Sequence, residues 1–137
     1  MISKVKYIGE LRTQCTHIAS DNFILTDAPI DNQGKGEAFS PTDTVATALA
    51  SCLLTIMGIK AKQLKIDIRD TTAEVKKIMG ENPRRIDSII ISVYFKKVFD
   101  KKIRKILEKA ALTCPVYYSL NSSLNKKIQF FWPPEKS

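Results

Sequence analysis

The 137-residue sequence has a single histidine, and no two of its three cysteines are close enough to form a C-x-x-C pair. Structural zinc sites usually combine four such ligands at short spacings, so His17 and the scattered cysteines predict no metal site. The first residues contain no apolar run, and no stretch of the chain approaches the length of a membrane span. We therefore expect a cytoplasmic protein with reduced thiols, no metal and no membrane partner.

Acidic residues are scarce as well, because 14 Asp and Glu against 22 Lys and Arg give a formal net charge of +8. A basic chain can bind nucleic acid, but no DNA or RNA recognition motif occurs here, and aromatic residues do not alternate with basic ones. The basic cluster between Lys96 and Lys105 surrounds a turn and a predicted helix start, where solvated charge is usual. We expect a lysine-rich surface and no nucleic-acid partner, with a basic binding protein as the remote alternative.

The sequence does contain patterns for both strands and helices. Residues 4–16 alternate between apolar and polar side chains and predict a half-buried strand, which a second strand over 23–26 extends into a hairpin. Further strands are predicted over 66–79, 84–95 and 127–132, with an apolar run at 89–95 that indicates a central strand covered on both faces. Helices are predicted from residue 41 to about 60–64 and over 100–113. This order indicates a single α+β domain over residues 1–137, with its helices against an antiparallel or mixed sheet.

The first helix has a clear start and carries the second cysteine. Ser40 is a plausible N-cap, Pro41 suits the first helical position, and Asp43 is placed to reach back to the cap. Cys52 falls on the apolar stripe of this helix, where a cysteine usually serves as a small buried hydrophobic residue. Cys15 lies on the apolar side of the N-terminal strand and is expected in a core.

Cys114 stands before Pro115 and is expected to cap a short helical turn. Unpaired N–H donors and the positive end of the helix dipole favour the thiolate at such a position. Since both predicted helices must turn their apolar faces to one small core, Cys52 and Cys114 are expected to meet there. Two such thiols can run a cycle, in which one is oxidised to a sulfenic acid and the other condenses with it to a disulfide.

These motifs resemble those of the OsmC/Ohr family. Residues 39–52, with Ser40-Pro41 and Cys52, resemble its first-cysteine helix, and residues 110–120, with Cys114-Pro115, resemble its second-cysteine motif. Residues 82–86, the order of elements and the chain length also fit. The resemblance implies the OsmC-like fold, with sheets packed on a long central helix and a second helix. It also implies an intertwined homodimer with two active sites at the subunit interface.

For function, the resemblance implies thiol-dependent reduction of organic hydroperoxides in oxidative-stress defence. Cys52 then takes the peroxidatic role and Cys114 the resolving role. No cofactor is needed, and a thiol or dithiol reductant resets the pair. An arginine held by a glutamate is expected to orient the peroxidatic thiolate and the peroxide.

The sequence departs from this pattern at the glutamate, whose position holds Thr42. Asp43 and Glu37 are candidate replacements, although Asp43 can equally be only a helix cap. Arg12 is the candidate arginine, and Arg84–Arg85 remain alternatives. The departure keeps a second function open, in which the protein is a redox-sensitive module that binds an apolar ligand in the same pocket without turnover.

Overall fold

The computed structural model describes residues 1–135 and divides the chain into two compact units, Met1–Val45 and a second that begins at Ala46. The described residues form two three-stranded sheets together with helices, in an α+β order. The predicted fold class is therefore confirmed. The prediction of one domain over the whole chain stays a prediction.

The first unit is built on an antiparallel sheet of β1 (Ser3–Gly9), β2 (Arg12–His17) and β3 (Phe23–Asp27), in the order β1-β2-β3. The predicted single strand over residues 4–16 was wrong, because the chain reverses within it. Gly9, Glu10 and Leu11 have φ angles of 93°, 54° and 63°, the left-handed values that a tight hairpin turn requires. The predicted hairpin with the following strand is confirmed, since β2 pairs antiparallel with β3.

The apolar side chains of this sheet are more exposed than the sequence predicted. Val5, Tyr7 and Phe23 are 60%, 64% and 56% exposed, so the expected half-burial is found along β2, whose residues 12–16 are partly buried, and not along β1. Strict alternation identifies an apolar face but does not supply the element that covers it. The first unit therefore presents a broad apolar surface.

The helix α1 spans Pro41–Gln63 and begins at the predicted cap. The backbone N–H of Asp43 donates to Ser40 Oγ at 3.0 Å, and the backbone N–H of Ser40 donates to Asp43 Oδ2 at 2.9 Å. This reciprocal pair is a capping box that satisfies two N–H groups which helix geometry leaves without partners. The predicted start of the helix and the capping role of Asp43 are confirmed.

The length of α1 corrects one expectation. The helix has 23 residues, and an 18-residue window within it has a mean hydropathy of 1.6, which is long and apolar enough to cross a membrane. The sequence showed no uninterrupted apolar run because Thr47, Ser51 and Thr55 interrupt the apolar residues. Length and composition do not distinguish a membrane span from the core helix of a globular protein. Six α1 residues are buried: Ala46, Leu49, Ala50, Leu53, Met57 and Ala61.

The second unit contains a mixed sheet of β4 (Thr72–Gly80), β5 (Arg85–Tyr94) and β6 (Asn125–Phe131), with β5 in the centre. β5 pairs antiparallel with β4 and parallel with β6. β4 begins later than predicted because residues 65–71 form no strand, and two turns in this segment place Lys65 and Asp70 at left-handed φ angles of 57° and 69°.

The central position of β5 is confirmed, but burial on both of its faces is not. Ile89, Ile91 and Val93 are fully buried, whereas the intervening Ile90 and Ser92 are only partly buried. The run is apolar at nearly every position, yet only alternate side chains point into the core, as the pleat of a strand requires.

Two further helices complete the second unit. α2 (Lys101–Ala111) is capped by Asp100, whose Oδ1 accepts a hydrogen bond from the backbone N–H of Ile103 at 2.9 Å. α3 is the short helix Pro115–Ser119. One hydrophobic core joins α1, β5, α2 and the start of α3, and Cys114 is among its fully buried members.

Candidate functional site

Cys114 caps the start of α3, as the sequence predicted. Its Sγ accepts a hydrogen bond from the backbone N–H of Tyr117 at 3.3 Å, and Pro115 occupies the first helical position. The side chain is fully buried. The thiol is thus held in one orientation by the helix that it caps.

Cys52 lies in the middle of α1, on the side that faces the core. It is partly exposed and packs against the buried cluster that contains Cys114. The Cys52 side chain is close enough to Cys114 to raise the pKa of that thiol, and neither cysteine is part of a disulfide. The expectation that Cys52 and Cys114 belong to one small core is therefore confirmed, with Cys52 as the more exposed of the two.

The acidity of Cys114 differs from what its cap position indicated. Burial raises the pKa of this thiol above its ordinary value of 9.0, and the contact with Cys52 raises it further. The backbone N–H groups of Tyr117 and Val116 act in the opposite direction, but the desolvation of the thiolate outweighs them. Cys114 is therefore a neutral thiol at physiological pH, and the predicted preference for thiolate was wrong in its net effect.

A groove with an apolar floor lies between α1 and α2, close to the two cysteines in the chain. Its volume is about 480 Å³. It begins at Ile56, one turn beyond Cys52, and ends at Thr113, which precedes Cys114. The groove has room for an apolar organic molecule, although neither Cys52 nor Cys114 is among the residues that line it. The lining residues are Ile56, Ile59, Lys60, Gln63, Ile106, Lys109, Ala110 and Thr113.

Arg12 is the centre of an ion-pair cluster in the first unit. Its Nε donates to Asp27 Oδ1 at 3.0 Å and its Nη2 donates to Asp27 Oδ2 at 3.1 Å, a bidentate pair. Nη2 also donates to Glu37 Oε2 at 3.0 Å. The Asp27 side chain is fully buried, and its Oδ2 accepts a further hydrogen bond from the backbone N–H of Glu37 at 3.0 Å. Of the two candidate replacements for the family glutamate, Asp43 and Glu37, it is Glu37 that contacts Arg12.

The hydrogen bonds from Arg12 hold the pKa of Asp27 below its ordinary value of 3.8, although burial alone would raise it. In turn, the hydrogen bonds from Asp27 raise the pKa of Arg12. Both groups are therefore charged at neutral pH. Sequence reasoning missed Asp27, which lies one residue beyond the strand predicted over 23–26. Pairing the hairpin strands in register would have found it, because Arg12 and Asp27 are direct cross-strand partners.

The remaining candidate residues have structural partners. Asp43 and Ser40 form the capping box, and the Thr42 hydroxyl is hydrogen-bonded to Ser40 Oγ at 3.2 Å. Arg85 donates to the carbonyl oxygens of Glu81 and Pro83 at 2.8 and 3.1 Å, which stabilises the turn before β5. Arg12 belongs to the first unit and Cys52 to the second, so activation of the thiol by the guanidinium stays a prediction.

The other thiol and the histidine lie on β2. Cys15 is partly buried, and its Sγ is 3.7 Å from Thr13 Oγ1. His17 Nδ1 is hydrogen-bonded to Ser20 Oγ at 2.7 Å in the exposed turn that follows. Within residues 1–135, no three His, Cys, Asp or Glu side chains form a group that could hold a metal ion.

Comparison with known proteins gives one family and a set of close folds. The profile of the family described as OsmC-like protein matches residues 34–129. A crystal structure from Psychrobacter arcticus, of a proposed osmotic stress induced and detoxification response protein, is 53% identical, with a TM-score of 0.93 over 96% of each chain. No functionally curated protein matches the chain significantly.

More distant structures share the fold. An organic hydroperoxide resistance protein OsmC from Legionella pneumophila is 17% identical, with a TM-score of 0.70 over 95% of this chain and 96% of that one. An organic hydroperoxide resistance protein from Elizabethkingia anophelis is 15% identical, with a TM-score of 0.72 over 95% of each chain.

Proposed function

The chain belongs to the OsmC-like family, and we propose that it reduces organic hydroperoxides by a two-cysteine cycle in oxidative-stress defence. The Cys52 thiolate attacks the outer oxygen of ROOH, the O–O bond breaks, and the departing alkoxide takes a proton to give ROH. Cys52 is left as a sulfenic acid. The Cys114 sulfur then attacks the Cys52 sulfur, which forms the disulfide and releases water. A dithiol reductant returns both thiols and leaves as its own disulfide.

The observation that carries this proposal is the thiol pair itself. The partly exposed Cys52 packs against the core that contains the fully buried Cys114, so Cys52 can meet a peroxide while Cys114 is shielded from solvent. The neighbouring groove supplies an apolar surface for the organic part of the substrate. The names of the Legionella and Elizabethkingia proteins support the same substrate class.

Arg12 has the role of orienting the Cys52 thiolate and the peroxide, and Asp43 fixes the start of the helix that carries Cys52. The protein works as a homodimer in the cytoplasm, where a thiol or dithiol reductant is available. The exposed apolar side chains of β1 and β3 support the dimer, because they leave a surface that a second copy can cover.

The test is peroxide consumption with a dithiol as the reductant. Wild-type protein should consume cumene hydroperoxide, and Cys52→Ser should abolish the reaction. Cys15→Ser is the matched control, since it removes a thiol of the first unit and should leave the rate unchanged. A wild-type protein that leaves the hydroperoxide intact would exclude the proposed activity.

A second function is supported by the groove and by Thr42. In this alternative the protein binds an apolar ligand between α1 and α2, and oxidation of the thiol pair alters the binding without turnover. Fluorescence titration of the reduced protein and of the disulfide form with an apolar dye distinguishes the binding function from the enzymatic one. A binding module should show redox-dependent affinity and no peroxide consumption.

A further inference from the structure

The guanidinium of Arg12 is held along one side only. Of its five N–H donors, the Nε hydrogen and both Nη2 hydrogens are directed at Asp27 and Glu37. Nη1 makes no hydrogen bond to any residue of the described range 1–135. The carboxylates thus fix the plane of the fork and leave one amino group, with two donors, for another acceptor.

The two partners of Arg12 are not equivalent. Asp27 is fully buried and bidentate, and its own Oδ2 is fixed by the backbone N–H of Glu37. The Glu37 side chain is 63% exposed and bonds through a single oxygen. A partner of this kind contributes little to holding a long side chain, because solvent competes for it. The orientation of Arg12 therefore depends on Asp27.

The ion-pair cluster of Arg12, Asp27 and Glu37 cannot stabilise a thiolate by its net charge alone. One guanidinium and two carboxylates sum to a net charge of −1, which gives little positive field at a distance. What remains is directed hydrogen bonding from Nη1, whose value depends on its position. A thiolate or peroxide oxygen in line with these donors is stabilised only if the guanidinium does not swing away.

We propose that Asp27 is the positioning residue for Arg12 and does the work for which a glutamate would otherwise be expected at Thr42. This inference rests on the proposed function, in which Arg12 orients the Cys52 thiolate and the peroxide. Asp27 does not touch the reacting atoms. It acts through the bidentate pair, which aims the Nη1 amino group.

The test uses Asp27→Asn, which keeps the shape of the side chain and removes its charge. If the position of the Arg12 guanidinium determines the reactivity of Cys52, two rate constants should fall about tenfold or more. They are the rate constant for oxidation of Cys52 by cumene hydroperoxide and the rate constant for its alkylation by iodoacetamide. If the net charge of the Arg12, Asp27 and Glu37 cluster determines the reactivity of Cys52, both rates should rise, because the substitution makes the cluster neutral. Unchanged or faster rates overturn the proposal. Glu10→Gln is the matched control, because it removes one negative charge from the exposed pair with Lys35 and should change neither rate.

A double-mutant cycle separates positioning from a general structural effect. In an Arg12→Ala background, Asp27→Asn should cause no further loss, whereas two additive losses would contradict action through Arg12. Should Asp27→Asn fail to fold, Arg12→Lys replaces it, since it keeps the charge but lacks the planar fork. A wild-type rate for Arg12→Lys would also overturn the proposal.

The two proposals fail separately. If wild-type protein does not consume the hydroperoxide, the proposed activity is lost, yet the alkylation rate of Cys52 in the same variants still decides the role of Asp27. If the wild type turns over and Arg12→Ala slows it while Asp27→Asn does not, only the role of Asp27 is refuted.

Discussion

Cys52 packs against the buried cluster that contains Cys114, and of these two thiols only Cys52 is partly exposed. This asymmetry assigns an order to any oxidation. A peroxide in solution reaches Cys52 first, whereas the buried Cys114 reacts through its neighbour.

The first prediction is an intramolecular disulfide. After treatment with cumene hydroperoxide, mass spectrometry should find Cys52 bonded to Cys114 within one chain. In Cys114→Ser, a sulfenic acid should accumulate on Cys52, because nothing condenses with it. A disulfide that includes Cys15 would mean that the thiols have been paired wrongly.

The second prediction concerns the pH dependence of Cys114. Because burial and the contact with Cys52 raise its pKa above 9.0, the thiol should stay protonated at neutral pH and ionise only in more alkaline solution. Site-resolved alkylation of reduced protein should therefore show a midpoint for Cys114 above 9.0 in the folded state. The same measurement in urea, with the thiol solvated, should give a lower midpoint. A folded-state midpoint below 9.0 would show that the cap N–H groups prevail over burial.

Local signals predicted the part of the fold that surrounds these cysteines. The start of α1 followed from Ser40-Pro41, and the start of α3 followed from Cys114-Pro115, because caps are determined by a few adjacent residues. The meeting of the two thiols followed from the apolar faces of two helices that share a small core. These are short-range rules, and they were sufficient for this half of the site.

Long-range features were not predictable in the same way. Asp27 lies just beyond the strand predicted over residues 23–26, and only the register of β2 and β3 places it opposite Arg12. The net acidity of Cys114 depended on its burial, which the cap position does not reveal. The exposed sheet of the first unit shows the same limit, because an alternating pattern does not say what covers its apolar face.

The third prediction is that Asp27 stabilises the fold in a pH-dependent manner. Its pKa is lowered in the folded state, so its contribution is present above the ordinary value of 3.8 and is lost as the pH falls through the lower folded-state value. Asp27→Asn should therefore lower the melting temperature by several degrees at neutral pH, and the difference should shrink below pH 3.8. Thermal unfolding followed by circular dichroism checks this.

Glu37→Gln provides the comparison for that experiment. Its carboxylate is 63% exposed, so the loss of its ion pair should change the melting temperature little at any pH. An equal fall in melting temperature for Asp27→Asn and Glu37→Gln would indicate that the buried Arg12–Asp27 pair stabilises the fold no more than the exposed Arg12–Glu37 pair.

The fourth prediction is a homodimer at micromolar concentration. Val5, Tyr7, Phe23, Ile24 and Phe39 are all at least half exposed in the single chain, which is an unusual density of apolar surface for a monomer. Sedimentation velocity should give the mass of two chains. Phe23→Glu should shift the equilibrium toward monomer, while Lys4→Glu on the same sheet is the control for added charge. A wild-type monomer would contradict the intertwined arrangement.

The last prediction is that Arg12 activates Cys52. A thiol on an apolar helix face is a poor nucleophile, and a hydrogen-bond donor with positive charge reverses this by stabilising the thiolate. Arg12→Ala should slow both alkylation of Cys52 at neutral pH and peroxide consumption by about tenfold or more, which corresponds to ~1.4 kcal/mol of lost stabilisation. Arg85→Ala is the matched comparison, because Arg85 is engaged with the carbonyl oxygens of its own turn. If Arg85→Ala or Arg84→Ala slows the reaction and Arg12→Ala does not, the activating arginine has been misassigned. If none of the three variants has an effect and wild-type Cys52 is inert to hydroperoxide, the binding function takes the place of the enzyme.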